Sequence, residues 1–173
     1  FGSHLQGMPI IAENGTYVVR DGVDISSSTI DPNLTREVIT GVRQLRNDGH
    51  DVGLVVATKS IAYLERGDDP FVSHVATYYH SHRIVKDLSE HTDDVIKLSI
   101  YDFREASEAT YPTMQRTAPE HQVILATPNW VDIMNPGVNK GSAVEAVQRD
   151  LGVTADQTAI FGDFLNDLEM MPM

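Results

Sequence analysis

Apolar positions recur along this chain with two periods, and the period changes with position. Residues 34–45 carry Leu34, Val38, Ile39, Val42 and Leu45 at helical spacing. Asp31-Pro32 precedes them as an N-cap followed by a first-turn proline. Asn47-Asp48-Gly49 supplies the stop. Residues 51–58 then form an apolar run that reads as a buried strand. Residues 94–103 alternate, with Val95, Lys97, Ser99 and Tyr101 on one face and Ile96, Leu98 and Ile100 on the other. That pattern predicts a half-buried antiparallel strand.

Weaker signals fill the gaps. The stretch 8–19 reads as strand, Asn14-Gly15 turn and strand, a strong hairpin signal. Asn14 suits a turn because it tolerates positive φ. Residues 24–30 read as a polar strand or linker. Short helices are expected over 59–66 and 71–79, an edge strand over 84–88, and a helix over 104–114 broken near Pro112. Strands follow over 121–127 and 130–134. The helix over 142–151 is expected to turn Val144, Val147 and Leu151 inward. The middle of the chain is thus α+β with antiparallel signatures, and the ends read as α/β.

The chemistry concentrates near the end. Ile160 to Phe161 is apolar, Gly162 turns, and Asp163 follows, with Asn166 and Asp167 just beyond. Read physically, 158–161 is a buried strand whose carboxyl end presents Asp163 at the lip of a parallel sheet, where ligands bind in open α/β folds. Two carboxylates and a carboxamide within five residues suit an oxygen-ligated Mg²⁺ ion. The same residues also suit a helix N-terminus, as cap and favourable first-turn charge. Glu169 belongs with that reading, and Met170 and Met171 with packing. Upstream, Asn135-Pro136-Gly137 turns the chain into a helix opening near Lys140, which lies 163 − 140 = 23 residues before Asp163. A cation and a metal-binding acid at one sheet edge suit a phosphate group. His80 and His82, with His74 nearby, fall short of the three or four ligands a zinc site needs, and read as a solvated turn.

Composition narrows the function class. The 173 residues carry a net charge of −12, which opposes a general nucleic-acid binder. There is no cysteine, so disulfides and thiolate metal sites are excluded. No apolar run approaches the roughly 20 residues of a membrane span, and cytoplasmic residence is the expectation.

Three motifs in order, Ile-Ala-Glu-Asn-Gly-Thr at 11–16, Gly-Val-Asn-Lys-Gly-Ser-Ala at 137–143 and Phe-Gly-Asp-Phe-Leu-Asn-Asp-Leu-Glu-Met-Met at 161–171, resemble the haloacid dehalogenase superfamily, and more closely its Cof-type sugar-phosphatase branch. The resemblance implies an α/β fold: a partial Rossmann-like core at 1–23 and 131–173, with an inserted α+β cap domain at 24–130. It implies a Mg²⁺-dependent phosphatase acting on a small phosphorylated metabolite, sugar phosphate-like, through an aspartyl-phosphate. Lys140 would neutralise the phosphate, Asp163 and Asp167 would serve the metal, Asn166 would bind phosphate or the metal shell, and Asn14 would lie near the substrate. Members of this superfamily begin with Asp-x-Asp, which supplies the nucleophile and the acid/base. This chain contains no Asp-x-Asp. It is therefore expected to be an interior portion of a longer phosphatase. A non-catalytic form that binds phosphate ligands and a phosphomutase of the same superfamily are the alternatives.

Overall fold

The structure is a computed structural model that describes residues 6–163 and 165–172, without the side chains of Leu165 and Asn166. The chain forms two compact units, Phe1–Ser28 with Gly137–Met173, and Thr29–Pro136. These break at 28/29 and 136/137, rather than at 23/24 and 130/131, because sheet pairing keeps the flanking strands with their neighbours.

The first unit opens with β1 (Ile10–Ala12), β2 (Tyr17–Arg20) and β3 (Val23–Ser27), an antiparallel sheet in that order. β3 shows that the start of the polar stretch 24–30, expected as strand or linker, is a strand. The turn between β1 and β2 is a 3₁₀ turn, Glu13–Gly15, with Asn14 at φ 57°. A helix near the end of the chain, Lys140–Leu151, packs on this sheet and is numbered α4 below. Its buried residues are Gly141, Ala143 and Ala146, whereas Leu151 is exposed. The large apolar side chains expected to point inward do not define its buried face. Small residues do, because the helix backbone lies close to its neighbours. Arg20 on β2 pairs with Asp150 at 3.0 Å.

The second unit is a six-stranded mixed sheet with helices on both faces. In chain order it contains α1 (Pro32–Asn47), β4 (Val52–Thr58), β5 (Ala62–Leu64), α2 (Asp69–Tyr78), β6 (His82–Ile84), β7 (Val95–Asp102), α3 (Thr110–Thr117), β8 (Gln122–Leu125) and β9 (Trp130–Met134). The strand order is β6-β5-β4-β7-β9-β8. β5 and β6 pair in parallel, and the other neighbours pair antiparallel.

The predicted α1 forms with its caps in place. The Asp31 carboxylate accepts from the Asn33 amide at 2.7 Å, and Gly49 takes φ +88° beyond the helix end. Its apolar stripe packs with Met114 of α3 against Val52, Leu54, Val56, Leu98, Ile100, Val131 and Ile133. On the opposite face Val55, Leu64, Tyr101 and Trp130 cluster with Phe71 and Val75 of α2.

Three local expectations are corrected. Residues 59–66 are not a helix. Thr58 closes a tight turn by donating its hydroxyl to the Ile61 carbonyl at 2.8 Å, and β5 then pairs back on β4. The edge strand β6 lies at 82–84, slightly before the place expected. In α3, Pro112 sits within the first turn, where its missing N–H is tolerated, so it opens the helix instead of breaking it.

β7 is buried along its whole length, not half-buried. The second face of the sheet is covered as well, and its polar residues satisfy one another. Ser99 donates to Asp132 at 2.6 Å, Tyr79 lies 3.1 Å from Ser99, and Lys97 lies 3.7 Å from Asp132. A buried ion pair of this kind is tolerated when its hydrogen bonds are made.

A Cβ at Gly53 would lie 2.4 Å from the ring of Phe71, which is fully buried. Gly53→Ala is expected to destabilise the second unit by about 1–3 kcal/mol through overpacking. An unchanged urea midpoint would show that the ring moves freely.

The Ser89 hydroxyl and then the Arg43 guanidinium hold the Asp87 carboxyl well below the usual range. Arg66 lowers Asp68 in the same direction. A carboxyl with a lowered folded-state pKa contributes stability that is present above its unfolded pKa, about 4, and is lost as pH falls toward the folded value. Urea midpoints are therefore expected to drop from about pH 4 downward, and less steeply in the Asp68→Asn, Asp87→Asn double variant. The same acid slope in both proteins would refute these two carboxyls as its source.

Candidate active site

The start of α4 fixes the site. Asn139 is its N-cap: the side chain accepts from the Ser142 amide at 2.8 Å, and the Ser142 hydroxyl accepts from the Asn139 amide at 3.1 Å. This reciprocal capping box makes Lys140 the first helical residue. The Asn-x-x-Ser spacing at 139–142 is the sequence signal for that start, which fixes the helix expected to open near Lys140.

Lys140 Nζ pairs with Asp167 Oδ1. The other carboxylate oxygen, Oδ2, accepts from the Asp163 amide at 3.0 Å. Asp167 is only 6% exposed, so this carboxylate joins the lysine to the loop from a buried position. The Asp163 carboxylate is exposed and makes no hydrogen bond or ion pair with another described residue.

Glycines permit these approaches. A Cβ at Gly162 would meet the Asp167 Cβ at 2.6 Å, and one at Gly141 would meet the Glu169 carbonyl oxygen at 2.2 Å. Gly15, at φ +99°, brings the hairpin turn against α4, since a Cβ there would lie 2.3 Å from the Asn139 carbonyl oxygen. Gly162 therefore serves close packing rather than an unusual φ.

These residues frame an open depression of about 530 Å³, lined by Ile11, Lys140, Phe161, Gly162, Asp163, Asp167 and Met170. Of the residues chosen from sequence, Lys140, Asp163 and Asp167 come together here. Asn14 sits in the adjacent 3₁₀ turn and is not among the lining residues. The Asn166 side chain lies outside the described residues. Ile11 and Met170 line the depression, and neither carried a sequence signal beyond packing.

The expected strand at 158–161 is absent. Residues 158–163 pair with no strand, and Asp163 leads into a 3₁₀ helix, Leu165–Met170. An extended segment becomes a strand only where a neighbour completes its hydrogen bonds. The three-stranded antiparallel sheet of this unit offers 158–163 no such neighbour among the described residues.

The donor set fits a small hard cation. Among the described residues no three His, Cys, Asp or Glu side chains converge as a closed metal cage. Mg²⁺ does not need one: it keeps several waters and binds through one or two carboxylates plus substrate phosphate. Asp163 is the open carboxylate, and Asp167 is held by Lys140 and the loop amide. The three charges sum to −1, which would repel a phosphate dianion. A divalent cation beside Asp163 would reverse that sign.

The sequence profile of the haloacid dehalogenase-like hydrolases matches residues 2–173. Among curated proteins, the chain is 26% identical over 167 residues to the 5-amino-6-(5-phospho-D-ribitylamino)uracil phosphatase YbjI of Escherichia coli (strain K12), covering 93% of this chain and 59% of that protein. Among solved structures, one from Thermotoga maritima superposes with a TM-score of 0.82 at 22% identity, covering 96% of this chain and 62% of that one. A subclass IIB sugar phosphatase superposes with a TM-score of 0.72 at 18% identity, covering 94% and 60%. These two likenesses show the mixed α/β fold.

The chain belongs to the haloacid dehalogenase-like hydrolases, in the Cof-type branch. It spans about three fifths of the length of these relatives.

Proposed function

We propose that these residues belong to a Mg²⁺-dependent phosphatase that hydrolyses a small, sugar phosphate-like metabolite in the cytoplasm, with Thr29–Pro136 acting as its cap. The carrying observation is Lys140 pinned against buried Asp167, with the open Asp163 carboxylate in the same depression. In phosphoryl transfer the transition state spreads negative charge over the equatorial oxygens, and catalysis is largely positioning and electrostatics. Lys140 supplies a fixed positive charge for those oxygens. Asp167 holds that charge in place and orients the loop through the Asp163 amide. Asp163 would hold the cation, whose contribution is to neutralise phosphate charge. Asn166 is assigned to the phosphate or the metal shell, and Asn14 to the neighbouring rim. The 173 residues carry no Asp-x-Asp, so none of them is assigned the role of the aspartate that would form an aspartyl-phosphate.

The names of the relatives support this reading: the Escherichia coli protein and a partial match in Cronobacter sakazakii, an HMP-PP phosphatase, are both phosphatases of small phosphorylated metabolites. A second reading is a form that binds phosphate ligands without turnover. Phosphate release from a panel of phosphorylated sugars, with and without Mg²⁺, separates them. Mg²⁺-dependent release by the protein carrying these residues supports the phosphatase. Saturable ligand binding with no release supports the second reading. Conversion of a substrate to its phosphate isomer would indicate a phosphomutase instead.

A further inference from the structure

The two edges of the six-stranded sheet are guarded unequally. An edge strand offers unpaired N–H and C=O groups to any chain that can pair with it, and monomeric proteins blunt such edges with charge, proline or a bulge. The β6 edge is blunted: it is three residues long, carries His82 and Arg83, and is soon followed by Lys86. The β8 edge, Gln122-Val123-Ile124-Leu125, has none of these devices. It pairs with β9 without a register shift, and no Asp, Glu, Lys or Arg occurs from His121 to Asn129. Ile124 and Leu125 are 39% and 38% exposed.

The ladder fixes which groups this edge offers. The Ala126 amide donates to the Trp130 carbonyl at 2.9 Å. Ile124 and Gln122, two and four residues earlier, therefore also turn their backbone bonds toward β9, opposite Asp132 and Met134. Val123 and Leu125 turn theirs outward. A second β8 strand running antiparallel, with Ile124 on the two-fold axis, sets Val123 opposite Leu125 of the other copy and Leu125 opposite Val123. All the outward N–H and C=O groups of both residues are then satisfied on both copies at once. The side chains agree with that register. Val123 packs against the α1–α3 core, and Leu125 shares its face of the sheet, so the Val123–Leu125 pairs extend that apolar face across the axis. Ile124 meets Ile124 on the other face.

We infer that β8 is the surface through which two copies of this protein pair, strand against antiparallel strand, joining their six-stranded sheets into one. Charge and symmetry select a second copy as the occupant. These residues carry a net charge of −12, so two copies repel at long range. The pairing falls on a stretch where neither copy contributes a formal charge. The contact is isologous and closes on itself. It leaves the cationic β6 edges outermost, so growth stops at the dimer. One short strand pair is a small contact, so the association is weak and reversible.

Sedimentation equilibrium of the protein carrying these residues tests the pairing. A reversible monomer–dimer equilibrium is expected, with a dissociation constant of roughly 10–100 µM. Leu125→Pro removes an outward donor from each copy and no bond to β9, a placement that edge strands tolerate. It is expected to weaken the dimer by about tenfold or more, with a urea midpoint close to the parent's. Cross-linking gives a second measurement that does not depend on that variant folding. None of the 173 residues is cysteine. Opposed residues on the axis of such a pair have Cα atoms about 4.5 Å apart, within the span of a disulfide. Ile124→Cys is therefore expected to form a covalent dimer with oxidised glutathione, faster by about tenfold or more than Ile84→Cys on the β6 edge, as a preset geometry favours bridging. Ile84 is 51% exposed, so access alone does not favour Ile124. A protein that stays monomeric to about 300 µM, well above the expected constant, would overturn the inference. So would parent-like dimerisation of a folded Leu125→Pro, equal cross-linking at the two edges, or growth beyond the dimer.

Discussion

Lys140→Ala is expected to lower phosphate release by about a hundredfold or more in the protein carrying these residues, comparable to removing one preorganised charge partner from a transition state. The side chain is held by Asp167, which is buried and also fixed to the Asp163 amide. Its position is therefore set before substrate arrives, and its loss cannot be made good by a mobile surface cation. The effect should fall on kcat more than on KM, because charge accumulates in the transition state. Lys140→Arg is expected to recover little: a planar fork does not fill a place shaped for a point charge. Near-normal turnover in Lys140→Ala would remove Lys140 from the mechanism. The substitution also frees a buried carboxylate, so the fold of the variant must be checked by its urea midpoint.

Asp163→Asn should act differently. Its carboxylate is exposed and unpaired among the described residues, so the change disturbs no contact seen in the fold. Stability is expected to stay within about 0.5 kcal/mol, as for most surface substitutions. The Mg²⁺ concentration for half-maximal activity should rise by about tenfold or more, since removing a charged oxygen weakens a hard-cation site built on few protein ligands. A direct readout is the Mg²⁺-dependent shift in thermal midpoint, expected in the parent and reduced in the variant. An unchanged metal titration would move the metal role away from Asp163. Asp167→Asn serves as the contrast. It should loosen both Lys140 and the loop, and so lower stability as well as activity.

The two halves of the site were unequally legible. Lys140 and the acids of the 161–171 stretch stand out because they lie in two short motifs, 137–143 and 161–171, that together resemble a known family. Their joint was not readable. Nothing local says that Asp167 reaches Lys140, 27 positions away, or that Gly141 meets the Glu169 backbone. Such contacts depend on how α4 and the loop dock, and no spacing rule encodes that. The helical face of α4 was misread for a related reason. Val144, Val147 and Leu151 gave the larger hydrophobic signal, but close backbone approach selected Gly141, Ala143 and Ala146 for burial. Residues 59–66 went wrong because a short apolar segment has no decisive period, and the neighbouring strand β4 decided its conformation.

By itself the sequence determined the elements whose signals are local: α1 with its Asp31 cap and Gly49 stop, the apolar strand β4, the hairpin around Asn14-Gly15, and the residue types that can bind phosphate or a hard cation. Those features follow from backbone preferences and from periodicity within about one element. The tertiary structure decided the rest. It buried both faces of β7 by placing helices on either side of the sheet. It left 158–163 unpaired, because a strand is a property of two segments and not of one. It turned Asp167 from a loop acid into a buried clamp on Lys140. In each case the deciding interaction joins residues far apart in sequence, so its free energy depends on packing that no single stretch of the chain contains.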